Sequence, residues 1–200
     1  MAQAIIMGID PSFKNLATST LYDNKTIHLT CDGGSLGDRV DFTKAFSVAD
    51  TLTNNVTKKL KGCCKTINYI ISEIPSPNLQ YSMGLAVLDS LLLYKLGIVL
   101  KCKNIYTLSP SFLSHLHGTN KYSKKDSVTL ALHFMEVLKE NGYSVKWDAK
   151  KLNPDMSEAF LFMLKGIVIE NIDNLRDVLL AELESFEGGY YKILKKEEDS

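Results

Sequence analysis

The sequence predicts an α/β fold, a mixed five-stranded sheet flanked by helices, and three observations carry that reading. Two short apolar runs, Ala4–Ile9 and Thr66–Ile74, are bounded by Gly or Pro and read as strands covered on both faces. Between them, Leu16–Tyr22 and Thr26–Cys31 are joined by Asp23-Asn24-Lys25, which is hairpin-turn chemistry. A long amphipathic helix then precedes the second buried run, and a crossover of that kind sets its strand parallel to the first.

In chain order, Ala4–Ile9 delivers Asp10 into a turn at Pro11, and the hairpin extends this strand into an antiparallel meander. Gly33-Gly34 through Gly37 is a loop. From Asp38 to Lys61, apolar residues recur mostly three or four apart at Val40, Phe42, Phe46, Ala49, Leu52, Val56 and Leu60, and Gly62 ends the helix. Thr66–Ile74 places Glu73 at its carboxyl end, and Pro75 and Pro77 stop it. Two adjacent parallel strands set Asp10 and Glu73 side by side at the edge where α/β sheets build their sites.

The segment Asn78–Leu96 is a long helix that is apolar on more than one face. One face covers the sheet, and the surplus points to a partner helix, with Leu88 and Leu92 expected at the exposed positions. Lys103–Leu108 is the fifth strand, and Pro110 opens a helical turn through His117. Ser123 with Asp126 three residues on is a capping-box variant that starts a helix ending at Asn141-Gly142. Tyr143–Leu152 reads as irregular and basic. Asn153 then caps a helix with Pro154 in its first turn. From Ala159 to Ile169 that helix is apolar nearly all round, so it is buried. Residues 1–170 thus form one domain, and 171–200 add an acidic helix and a charged tail that frays after Gly188-Gly189.

Composition narrows the function classes. The 23 basic and 23 acidic residues balance, so net charge advertises no polyanionic partner. Lysines nevertheless cluster at Lys58, Lys59, Lys61 and Lys65, at Lys121, Lys124 and Lys125, and at Lys146, Lys150 and Lys151, although solvated surface alone explains such clusters. Cys31, Cys63, Cys64 and Cys102 have no zinc-site spacing and read as reduced thiols. The N-terminus lacks a signal-peptide pattern, and Asp89, Lys95 and Gly97 interrupt the most apolar window, so the expectation is a soluble cytoplasmic protein.

Four acids stand in costly places. Asp10 taken alone has two readings, a turn or cap residue and a cation ligand. Glu73 ends the parallel strand, and Asp155 and Glu158 share one face of the buried helix at i, i+3. The helix dipole accounts for one acid in a first turn, whereas two on a buried face ask for cations. A carboxylate cluster of this size suits hard divalent ions, above all Mg²⁺. Two such ions about 4 Å apart can activate a water and stabilise the leaving oxygen of a phosphodiester.

Four blocks in this order resemble the RuvC-type Holliday-junction resolvases of the RNase H-like superfamily. They are GIDPS (Gly8–Ser12), ISE with its following helix (Ile71–Leu96), the Ser109–Val128 stretch with HG and KKDSV, and DMSEA (Asp155–Ala159). The resemblance implies an RNase H-like fold and a crossover junction endonuclease cutting branched DNA. It implies Asp10, Glu73, Asp155 and Glu158 as ligands of two Mg²⁺ ions, with Mn²⁺ able to substitute, and Lys125 as the basic residue facing the scissile phosphate. It also implies a homodimer through helix 78–96. The sequence departs from the family at its last ligand, Glu instead of Asp, and at Ser76-Pro77, where an aromatic is usual. An upstream lysine is missing, with His115 and His117 as candidates to replace it. These departures suit a viral member working in a host cytoplasm. Competing readings are an RNase H-like nuclease acting on flaps or RNA–DNA hybrids and a non-catalytic nucleic-acid-binding module. Sugar-kinase and chaperone-type ATPases share a G-I-D strand but need a D-x-G-G-G loop and a longer chain.

Overall fold

The computed structural model describes residues 4–12, 15–33, 42–60, 66–74, 82–109, 111–117 and 123–185. Strands β1 (Ala4–Pro11), β2 (Asn15–Tyr22) and β3 (Thr26–Gly33) form the antiparallel meander that the hairpin chemistry predicts. Lys25, at φ 60° in the turn, supplies the left-handed residue that a tight hairpin needs. Helix α1 (Phe42–Leu60) crosses over to β4 (Tyr69–Glu73), which pairs parallel with β1 in the register Ile6 to Tyr69 through Ile9 to Ser72. Asp10 and Glu73 therefore stand one residue beyond the last pair, on neighbouring strands. Helix α2 (Ser82–Val99) leads to β5 (Asn104–Leu108), parallel to β4 at the sheet edge.

The sheet has six strands, not five. Part of the stretch read as irregular forms β6 (Ser144–Trp147), which adds parallel to β3 from Thr26–Ser144 to Leu29–Trp147. Four residues are too few to show a period, and the pairing is non-local, so the segment carries little strand signal by itself. The order across the sheet is β5-β4-β1-β2-β3-β6.

Two cores cover its faces. On one, α1 and α2 pack Ala49, Leu52, Val56, Leu88, Leu92 and Leu96 against Met7, Ile9 and Ile70. Leu88 and Leu92 are fully buried, which corrects the expectation that they face outward. Because α2 is apolar nearly all round, its sequence has no phase to show which side meets the sheet. Its exposed apolar residues are Tyr94 (67%), Ile98 (59%) and Val99 (54%). Asp89 is the polar member of its buried side; it accepts a hydrogen bond from Ser72 Oγ at 3.0 Å, and burial pushes its carboxyl up to about 6.

The other face holds α4 (Lys124–Glu140), α5 (Pro154–Glu170) and α6 (Arg176–Ser185), with the short α3 (Phe112–Leu116) at one end. Ser123 and Asp126 form the capping box, and Asn153 Oδ1 accepts from the Met156 N–H at 2.8 Å with Pro154 opening the helix, as the caps predict. Residues Met156–Ile167 of α5 are all buried. Leu179 and Leu183 of α6 join the same core, and Arg176 donates from Nε to Val168 O and from Nη2 to Ile169 O, satisfying the end of α5. No described helix is long and apolar enough to cross a membrane. Cys31 and Cys102 are free thiols among the described residues. Cys63, Cys64, Ser76, Pro77, the Gly118 loop, the His115 side chain and the tail from Phe186 lie outside them.

The placement of α5 on β1 depends on Gly8. A Cβ there would strike the Ala159 carbonyl oxygen and lie 2.5 Å from the Met163 backbone nitrogen, so only a glycine admits the helix. A Cβ on Gly166, two turns on, would strike Ile71 Cδ1 and lie 2.9 Å from Ile6 Cγ2. Gly8→Ala is expected to lower the unfolding free energy in urea titrations by about 1–3 kcal/mol or more, the range for overpacking a tight core. Unchanged stability would show that the helix can shift without loss.

Candidate metal centre

The close approach of α5 to β1 brings together side chains that are far apart in sequence. Asp10, at the carboxyl end of β1, meets Asp155 and Glu158 from the first turns of α5. These three offer carboxylate oxygens that all lie within 4.8 Å of one another. Asp155 and Glu158 share a helix face, as their spacing predicts, and Glu158 is 7% exposed.

Electrostatics make this cluster unfavourable by itself. Burial is the first cause that pushes Asp10 well above the ordinary carboxyl range, followed by the charges of Glu158 and Asp155. Glu158 is likewise raised, first by burial and then by Asp155, against the lowering effect of Lys124. Crowded like charges in a desolvated place either take up protons or take a cation.

Glu73, at the end of β4, is not one of the three carboxylates grouped within 4.8 Å, but its charge acts on Asp10 and that of Glu158 acts on it. Burial and the Glu158 charge push its carboxyl up to about 8, although backbone N–H groups of Leu113 and Phe112 in α3 donate to it. Its Oε1 is buried and has no hydrogen-bond partner. A buried oxygen without a donor, beside three crowded carboxylates, is what a cation ligand looks like before the cation is counted. The donor set is all oxygen, which suits Mg²⁺ or Mn²⁺ better than zinc.

Further side chains hold these acids in place. Lys124 Nζ lies 2.7 Å from Asp155 Oδ1, and Asn15 Nδ2 lies 3.5 Å from its other oxygen. Ser127 Oγ donates to Glu158 Oε1 at 3.4 Å, and His117 Nε2 lies 3.3 Å from the same hydroxyl. Since Ser127 gives its only proton to Glu158, Nε2 is the donor in the second bond. Burial lowers the His117 pKa, so this imidazole is a buried neutral link, not a surface stand-in for lysine.

The lysine that the structure brings to the carboxylates is Lys124, not Lys125. Helical phase explains the difference: Lys124 precedes Ser127, Leu130, Ala131 and Phe134 on the buried face of α4, whereas Lys125 aligns with Thr129 and the exposed Leu132. That signal was available from the period of the apolar residues. Asn15 and Ser127 carried none, because neither residue type is unusual in a strand start or a capped helix.

No protein-family model matches the chain, and no curated protein is similar to it in sequence. Solved structures are similar. A structure of Thermus thermophilus RuvC in complex with Holliday junction substrate aligns over 86% of this chain and 96% of that one, with TM-score 0.51 and 12% identity. Another Thermus thermophilus RuvC structure aligns over 86% and 97%, with TM-score 0.49 and 12% identity. The yeast mitochondrial Holliday junction resolvase Ydc2 aligns over 96% of this chain and 83% of its own, with TM-score 0.49 and 15% identity. The chain has the RuvC-type, RNase H-like fold.

The state of Glu73 gives a pH test of the centre. A carboxyl raised in the fold stabilises it while protonated, so its contribution is full below its unfolded value near 4.5 and is lost as pH rises through about 8. In EDTA, Glu73→Gln is therefore expected to be more stable than the parent near pH 9, on the order of 2 kcal/mol after allowing for partial solvation, and equal to it near pH 4. Mg²⁺ or Mn²⁺ should raise the melting temperature of the parent and not of the variant. A parent insensitive to both ions, with a variant less stable at every pH, would contradict a cation site.

Proposed function

We propose that the chain is a metal-dependent endonuclease that resolves four-way or otherwise branched DNA by paired phosphodiester nicks. The observation that carries this is the cluster of Asp10, Asp155 and Glu158, whose carboxylate oxygens lie within 4.8 Å of one another, with Glu73 at the end of the neighbouring strand β4. The fold adds support, since the solved structures that share it include one in complex with a Holliday junction.

In this reading the four carboxylates hold two divalent ions, Mg²⁺ by preference with Mn²⁺ as a substitute. Such ions supply an activated water and stabilise charge on the leaving oxygen. The chain's own groups then have separate tasks. The α3 backbone N–H groups fix Glu73, and the His117–Ser127 pair fixes one oxygen of Glu158. Lys124 is 63% exposed, so its ammonium can reach from Asp155 to a phosphate oxygen of a bound strand. There it stabilises the negative charge that develops on the phosphate. Burial of the carboxylates keeps bulk water from screening these interactions.

Symmetric nicking needs two such centres in fixed relation, which a twofold dimer supplies. Helix α2 is the proposed dimer surface, with Tyr94 and Ile98 as its exposed apolar residues.

A panel of labelled four-way junction, flap, RNA–DNA hybrid and duplex substrates with Mg²⁺ tests the reading. The expected result is paired nicks in the junction, lost in Asp10→Asn, Glu73→Gln, Asp155→Asn and Glu158→Gln while binding persists. Lys124→Ala should slow cleavage on the order of 10²-fold at saturating DNA, as expected for loss of one charge-stabilising donor, whereas Lys125→Ala should change it little. Tyr94→Glu with Ile98→Glu should yield monomers in light scattering that no longer nick in pairs. Faster cutting of flaps or hybrids by a monomer would assign the chain to a different nuclease class, and near-parental nicking by any two carboxylate variants would remove the metal assignment.

A further inference from the structure

The sixth strand has a use that the catalytic quartet does not explain. β6 and the segment after it, Ser144–Leu152, carry Lys146, Lys150 and Lys151, all exposed and in no ion pair among the described residues. Lys58 at the end of α1 is exposed and likewise outside any ion pair. The two acids among them are already engaged. Asp148 accepts from His28 Nε2 at 2.7 Å and lies 3.9 Å from Lys59 Nζ, which also lies 2.9 Å from Asp32. Lys146, Lys150 and Lys151 each stand within three residues of Asp148, a reach of at most ~10 Å even for extended chain. Lys59, Lys146, Lys150 and Lys151 thus gather about Asp148 and Asp32, in a protein whose overall charge is zero.

This surface adjoins the metal centre. The Cys31 thiol, beside Asp32 on β3, is hydrogen-bonded to the Asn153 side chain and feels the Asp155 and Lys59 charges. Lys151 is four residues before Asp155, within ~14 Å along the chain at most. The pairing of β6 to β3, together with Val145 and Trp147 packed against the core, fixes the segment on the sheet edge; alternation sets Lys146 on the other face, beside His28, while Lys150 and Lys151 follow on the run that leads into α5.

We infer that Lys146, Lys150 and Lys151 form a track for the phosphate backbone of the DNA strand on the β3–β6 side of the metal centre. The inference rests on the nuclease reading above and adds to it the surface that sets affinity. Phosphate contacts position a duplex and carry no base readout, so this track should be indifferent to sequence and sensitive to salt.

The test compares K146Q/K150Q/K151Q with K101Q/K103Q, whose lysines are exposed at the opposite edge of the sheet, beside β5. Binding to a labelled four-way junction is read by fluorescence anisotropy over a range of salt, in a Glu158→Gln background that should not cut. At ~0.9 of slope per phosphate contact, the triple change should flatten the log–log salt dependence by roughly 2 to 3. It should also weaken binding about 10-fold or more at 0.1 M salt. In the Glu158 parent, cleavage at saturating DNA should stay within about twofold. K146R/K150R/K151R should restore affinity, which a merely misfolded edge would not allow, and K101Q/K103Q should match the parent. An unchanged slope in the triple variant, or an equal loss per lysine in the control, would overturn the track while leaving the nuclease reading intact. A parent that neither binds nor cuts any nucleic acid would overturn both.

Discussion

The distance between α5 and β1 is the constraint on which the rest of this structure depends. A helix bearing Asp155 and Glu158 can lie against the strand bearing Asp10 only because Gly8 leaves room for the Ala159 carbonyl. That contact places three carboxylates within 4.8 Å, burying Glu158 and partly burying Asp10 and Asp155. The arrangement is unfavourable electrostatically, and apolar packing offsets the cost. Twelve residues of α5, Met156–Ile167, are buried, and each fully buried large apolar side chain contributes about 1.5–3 kcal/mol. The fold thus holds the acids in a repulsive geometry, which the proposed divalent ions would relieve.

The layer around the acids is assembled from separate parts of the chain and acts by orientation. α3 directs backbone N–H groups at Glu73, α4 brings Lys124 to Asp155 and Ser127 to Glu158, and the start of β2 brings Asn15. Lys124 and Asn15 hold the two oxygens of Asp155, and Ser127 holds one of Glu158. The charge pattern outside is of the opposite sign, since the β6 segment is lysine-rich and its aspartates are paired off. An acidic centre beside a basic flank can attract a polyanion without repelling it at the reacting phosphate.

Much of this was legible in the sequence, for identifiable reasons. Asp10 and Glu73 were readable because each ends an apolar run, where a carboxylate is costly. Asp155 and Glu158 were readable because i, i+3 spacing fixes a shared face however the helix packs. The caps at Ser123 and Asn153 depend on local chemistry alone, and both formed as expected. What failed depended on tertiary contact or on phase. β6 is four residues whose pairing partner lies over a hundred positions earlier in the chain. α2 is apolar nearly all round and its one acid, Asp89, is buried, so its pattern does not show that Leu88 and Leu92 face inward while Tyr94 and Ile98 face out. The resemblance pointed to Lys125, whereas helical phase sets Lys124 toward the buried side of α4, beside Asp155.

Anomalous diffraction from crystals grown with Mn²⁺ tests the central claim most directly, because it locates cations without relying on activity. The expected result is anomalous density in contact with carboxylate oxygens of Asp10, Glu73, Asp155 and Glu158, abolished in Asp10→Asn crystals of the same form. Saturating Mn²⁺ that leaves the quartet without density, with Glu73 still unliganded, would contradict the account.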